Sequence, residues 1–144
     1  FTSYHEMPHL PKSENPIVLR TTFQNDSAWN NICTEIISPN KEYGFLARVE
    51  FINDSSFENY THDRILGDTN SAYVYSFIFI VDSVTLSHAE HPILCVALKN
   101  DKGKSFRVIP SQMWGVENNL SISNMDFEYF SMSVDSDGVF RGFK

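Results

Sequence analysis

Residues 17–37 read Ile-Val-Leu-Arg-Thr-Thr-Phe-Gln-Asn-Asp-Ser-Ala-Trp-Asn-Asn-Ile-Cys-Thr-Glu-Ile-Ile, and this stretch decides the fold class. Ile17 to Phe23 is a β-branched and aromatic run, the composition of a strand. Asn25 and Asp26 then offer side-chain oxygens that can cap a helix. Beyond them Ala28, Trp29, Ile32, Cys33, Ile36 and Ile37 recur at helical spacing, until Ser38-Pro39-Asn40 stops the pattern. A strand feeding directly into an amphipathic helix is the first half of a βαβ unit.

The alternation continues outward. Phe45 to Ile52 alternates in part and reads as a second strand. Ser55 to Leu66 carries Phe57, Tyr60, Ile65 and Leu66 and reads as a short helix, with Gly67 as its C-cap. Tyr73 to Val81 is almost wholly apolar, as a strand covered on both faces should be. Ile93 to Leu98 and Ser105 to Ile109 flank Asn100-Asp101-Lys102-Gly103, which has hairpin chemistry and makes this pair antiparallel. Pro110 can open a helical turn through Trp114 and Val116. Asn124 can cap a last helix striped with Phe127, Phe130, Met132 and Val134, and Asp137-Gly138 turns the chain into Val139 to Phe143. The expectation is an α/β (or α+β) domain. Its mixed sheet has about five strands, parallel in the first half and antiparallel at the hairpin, with helices on its faces. Residues 1–15, broken by Pro8 and Pro11, read as a flexible tail, and residues 16–144 as one globular domain.

The totals agree. A chain of 144 residues with 42% hydrophobic content holds one core and is not disordered. A net charge of -7, with eleven scattered Lys and Arg, argues against a nucleic-acid partner. No apolar run approaches the roughly 20 residues that span a bilayer, so no membrane partner is expected. No apolar leader precedes residue 12, which points to the cytoplasm, with a cleaved secretion signal left open. Cys33 and Cys95 each lie in an apolar stretch and read as buried free thiols. No cofactor is expected.

Candidate functional residues follow from placement. Ligands of open α/β sheets bind beyond the carboxyl ends of parallel strands. There stand Thr21, Thr22 and Asp26 after the first strand, Asn53 and Asp54 after the second, and Asp82 after the third. Such oxygens could hold Mg²⁺ or Ca²⁺, although Asp and Asn after strands more often start turns and cap helices. Arg20 lies inside an apolar strand, where Glu50 is a plausible cross-strand partner. His88-Ala89-Glu90-His91 lacks a third zinc ligand, which leaves His91 as a loop candidate and no metal site assigned. Asp135-Ser136-Asp137-Gly138 fails as a calcium loop because Lys144 stands where the closing acid belongs. Arg141, between Phe140 and Phe143, could grip an anionic ligand or tie the C-terminus to Asp126 or Glu128. Asn118, Asn119 and Asn124 could read a polar ligand edge or fix loops. No phosphate-binding loop, dinucleotide fingerprint, nucleophile elbow or Cys-x-x-Cys pair is present.

The block Val116-Glu117-Asn118-Asn119-Leu120-Ser121-Ile122-Ser123-Asn124-Met125-Asp126-Phe127, followed by Asp137-Gly138-Val139-Phe140-Arg141-Gly142-Phe143, resembles a known family. That family consists of small, mostly bacterial proteins catalogued only as a domain of unknown function. The likeness extends back through Phe106 to Pro110, His91 to Leu94, Val49 to Phe51 and Arg20-Thr21, so it covers roughly residue 16 to the end. It implies a single-domain protein and carries over no catalytic residue. The expected function is therefore a non-enzymatic binding or regulatory domain for a protein partner, or one that self-associates. Its supports are the acidic charge and the aromatics Tyr4, Tyr43 and Tyr129. The alternative is a small hydrolase, carboxylate- or metal-assisted, with its site at the strand ends.

Overall fold

The structure, a computed structural model, describes residues 8–144. Its strands are β1 (Ile17–Arg20), β2 (Glu50–Ile52), β3 (Phe77–Val81), β4 (Ile93–Ala97), β5 (Ser105–Val108) and β6 (Val139–Phe140). Its helices are α1 (Asp26–Ile37), α2 (His62–Gly67), α3 (Ser83–Ser87), α4 (Met113–Ser121) and α5 (Phe127–Ser131), with 3₁₀ turns at Ser55–Phe57 and Pro110–Gln112. The strands form one mixed sheet in the order β2-β1-β3-β4-β5-β6. β1 pairs in parallel with β2 on one side and β3 on the other. β3–β4 and the β4–β5 hairpin are antiparallel. The expected α/β architecture holds, with one more strand than expected. The run after Asp137-Gly138 pairs in parallel with β5, entered through Gly138 at φ +82°.

Period-two alternation divides the apolar residues between two faces. Val18, Phe77, Phe79, Val81, Cys95, Phe106, Val108 and Phe140 face α1, α4 and α5 through Trp29, Ile32, Ile36, Met113, Val116, Leu120, Phe127 and Phe130. Ile17, Leu19, Ile78, Ile80 and Val96 face the other way, onto Leu10, Phe57, Tyr60, Ile65 and Tyr73. Both thiols are free. Burial raises the Cys33 pKa to about 11 and pushes that of Cys95 up as well. No described helix is long and apolar enough to cross a membrane.

Several boundaries differ from the sequence reading, each for a local reason. The second strand was expected from Phe45, but the chain at Asn40–Phe45 closes on itself. Phe45 N–H is not used by a strand there; instead the Phe45 carbonyl accepts from Asn40 N (2.6 Å) and the Asn40 carbonyl accepts from Gly44 N (2.7 Å). The helix expected over Ser55 to Leu66 is two pieces, because Asn59 turns left-handed at φ 58° and Asp54 and Thr61 cap the pieces separately. Gly67 ends α2 from inside, and Asp68 is its C-cap. Asn124 does not cap α5; its amide donates to Asn119 Oδ1 (2.8 Å), and Asp126 holds the cap position without a side-chain bond. α3 was not foreseen, although Asp82 and Thr85 form a reciprocal capping box at its start. Of the segment expected as a tail, residues 1–7 lie outside the described residues. Residues 8–15 pack onto the domain, with Leu10 buried and His9 bonded to Asp68 at 2.7 Å.

The third strand was expected from Tyr73 and begins at Phe77. Tyr73 leaves the strand line so that its hydroxyl accepts from Ile17 N (3.0 Å) and donates to the Phe77 carbonyl (2.7 Å). This one group satisfies buried backbone atoms at the start of both β1 and β3. Tyr73→Phe should therefore cost about 1–3 kcal/mol, the penalty for an unsatisfied buried donor. Urea denaturation of the two chains measures it; equal midpoints would show that these backbone groups find other partners.

Candidate functional site

Because β1, β2 and β3 run the same way, their carboxyl ends share one edge of the sheet. Each face of that edge carries its own polar arrangement. On the α1 face Arg20 is buried, its side chain only 3% exposed. Its Nη2 donates to Asp26 Oδ1 (2.7 Å), Nη1 to Asn53 Oδ1 (3.2 Å) and Nε to the Thr22 carbonyl (3.0 Å). The guanidinium carbon sits 4.4 Å from the Phe23 ring centre and 5.5 Å from that of Trp29. The expected Arg20–Glu50 pair does not form. Parallel register sets Glu50 opposite Ile17, three residues or roughly 10 Å behind Arg20. Arg20 instead joins the ends of β1 and β2 to the first turn of α1, above an open cleft of about 420 Å³.

On the opposite face Asp82 leaves β3 and meets Arg107, which β5 projects away from the Phe106 and Val108 side. Arg107 Nη2 donates to Asp82 Oδ2 (2.8 Å) and Nη1 to Oδ1 (3.0 Å), while Nη1 also donates to the Pro92 carbonyl (3.0 Å). Thr85 donates to Asp82 Oδ1 through both its backbone N–H and its hydroxyl. Burial by itself would raise the Asp82 pKa, but the bonds from Arg107 and Thr85 outweigh it and hold the carboxyl below its ordinary value. Arg107 was not among the sequence candidates. Strand alternation carried the signal, since a charged residue between two core positions must emerge on the other face. Asp54 does not join this group; it accepts from the Ser56 N–H and hydroxyl as the cap of its 3₁₀ turn.

The remaining candidates are dispersed. His91, left-handed at φ 50°, lies 3.3 Å from Glu35 through Nδ1. Arg141 binds neither Asp126 nor Glu128. It donates to Glu90, Asp135 and Asp137 at 2.7–3.1 Å, because the turn before β6 folds the two aspartates beneath it. Asn119 Nδ2 donates to the Gly115 carbonyl (2.7 Å), fixing the end of α4. Asn118 is exposed on α4, and its carbonyl accepts from Ile122 N. Asp126 borders a separate cleft with Asn100, Asp101 and Ser123. Among the described residues no three His, Cys, Asp or Glu side chains are grouped to hold a metal ion.

A surface feature outside the candidate set stands out. Tyr43, Phe45 and Trp114 form a triangle of rings with centroids 5.4–6.1 Å apart. Tyr43 and Phe45 are both more than half exposed, and Leu46 beside them is exposed as well. Their loop is held by Asn40, whose Oδ1 accepts from Glu42 N and Tyr43 N, and by Gly44 at φ +74°. Next to the triangle runs a groove of about 540 Å³ with Pro39, Ala89, Ile109 and Pro110 in its walls and Glu35, Glu42 and Glu90 against one Lys41. Only Tyr43 had been singled out from sequence; Phe45 was assigned to a strand and Trp114 to a helical turn.

The Asp82–Arg107 pair sets a pH dependence. A carboxyl with a depressed folded pKa contributes stability above its unfolded value, and loses it as pH falls through the folded one. Asp82→Asn should be less stable at neutral pH, and the gap should close below the ordinary value of 3.8. Paired thermal melts across that range check this; a gap independent of pH would remove the charged pair as its cause.

No curated protein matches the chain. A family model described as a domain of unknown function (DUF6924) matches residues 15–143, nearly the whole of the 144-residue sequence. The chain belongs to that family of domains of unknown function.

Proposed function

We propose that the protein is a non-enzymatic binding domain that recognises a positively charged protein partner. The observation that carries this reading is the ring triangle of Tyr43, Phe45 and Trp114 beside an apolar groove bordered by Glu35, Glu42 and Glu90. Large aromatic rings held in place before binding lose little conformational freedom on contact, and they are the side chains that dominate binding energy. Exposed apolar surface of this kind costs hydration unless something covers it. Glu42 beside it, with the net charge of -7, favours Lys and Arg on the partner and speeds encounter, while Glu90 is already paired with Arg141 and Glu35 lies against His91. The hydrolase alternative has weaker support, since Asp54 caps its own 3₁₀ turn and does not join Asp82, which is paired with Arg107.

Affinity capture with the full chain, followed by rebinding of the identified protein in purified form, tests the proposal. The partner should be basic, bind with a fixed stoichiometry and weaken as salt rises. Phe45→Ala should reduce affinity by about 2 kcal/mol, roughly 30-fold, without lowering the melting midpoint, because the ring is exposed. Glu42→Lys should slow association. A partner that binds both variants as it binds the original chain, or a chain that only dimerises through these rings, would overturn the reading.

A further inference from the structure

A fourth cavity lies where the order of the parallel strands reverses. β2 and β3 flank β1 on opposite sides, so the chain leaves β1 in one direction and returns on the other. The crevice beyond such a switch point is the general ligand position of open α/β sheets. Here it has a volume of about 380 Å³ and is lined by Thr21, Thr22, Asn59, Tyr60, Thr61, His62, Ile80, Asp82, Ser83 and Leu94. Asn59 N donates to the Thr21 carbonyl (2.9 Å), which draws the segment before α2 across the end of β1 and closes one wall. That wall requires Asn59 to stay at φ 58°, a left-handed conformation that asparagine tolerates.

The lining selects a ligand chemistry. The hydroxyls of Thr22 and Ser83, the phenol of Tyr60, the Asn59 amide and the His62 imidazole can donate or accept as required, whereas the Thr21 hydroxyl already donates to the Val81 carbonyl (3.3 Å) and the Thr61 oxygen accepts from Arg64 N (3.2 Å). No Lys or Arg is among the lining residues, which disfavours a phosphate. Asp82 is the one fixed charge. Its Oδ1 is filled by Thr85 and Arg107, whereas among the described residues Oδ2 accepts from Arg107 Nη2 alone and keeps room for another donor. His62 Nε2 is buried without a hydrogen-bond partner among the described residues, an unmet need that a ligand hydroxyl would fill as the ring turns toward the cavity. Ile80, Leu94 and the Tyr60 ring supply an apolar surface for the carbon skeleton of a small ring.

We propose that this cavity binds a small, neutral ligand bearing neighbouring hydroxyl groups, of the sugar class, with Asp82 Oδ2 accepting from one hydroxyl. The site is independent of the aromatic triangle, from which it differs in every lining residue.

The test is a titration of the ¹⁵N-labelled full chain, in separate arms, with methyl β-ribofuranoside, methyl α-glucopyranoside and inorganic phosphate. At least one glycoside should shift the amide signals of Thr22, Asn59, Thr61 and Ser83 saturably at millimolar concentrations, and phosphate should not. Thr22→Val should weaken that binding several-fold. Leu94→Trp, which fills the cavity from a partly buried position on its wall, should abolish it in a chain that still unfolds cooperatively. Phe45→Ala should leave it unchanged, which separates failure here from failure of the partner reading. Absence of a saturable shift with both glycosides would overturn the proposal, as would an equal response to phosphate or binding unaltered by Thr22→Val.

Discussion

Everything in this molecule is referred to the pairing of β1 between β2 and β3. All four β1 residues are buried, so its backbone groups have no water and need partners on both sides. Two parallel ladders provide them, and parallel neighbours demand crossovers that return the chain to the same end of the sheet. α1 and the segment containing α2 are those crossovers. They also cover the two faces, which is why a four-residue strand can be the centre of two separate apolar clusters.

The same pairing makes polar residues from distant parts of the chain into neighbours, and it confronts them with burial. A charge in that position persists only if it is paired and well hydrogen-bonded. Arg20 meets the requirement with three acceptors and two aromatic faces. Asp82 meets it with a guanidinium and a capping hydroxyl. The difference between them is chemical capacity left over. Every nitrogen of Arg20 has a described acceptor, whereas one oxygen of Asp82 is only half used, and Asp82 is among the residues that line a cavity. Spare acceptor capacity, not the mere presence of charge, separates a candidate ligand contact from a structural clamp.

The outer surface follows a different rule. The Tyr43–Phe45 loop contributes no sheet pairing and holds its shape through Asn40, so its rings are displayed instead of being absorbed into the core. Trp114 reaches them from the start of α4, whose other side chains, Met113 and Val116, point into the core. The acidic surface and this ring cluster are thus built by elements that the core already anchors.

Local chemistry was readable from residue order. The strand-to-helix switch at residues 17–37, the Asn25 cap, the hairpin at Asn100 to Gly103, the turn at Pro110 and the family likeness all rest on neighbours within a few positions, where propensity and capping act directly. Which charge meets which was decided only by tertiary register. Glu50 falls opposite Ile17 rather than Arg20, Arg107 crosses to Asp82, and Arg141 closes on Glu90 and two aspartates. A shift of one residue in a strand reverses the face of every side chain, and sequence order contains no measure of that shift. The cavity beside Asp82 and the triangle around Trp114 exist for the same reason: their walls come from segments that only the folded sheet brings together.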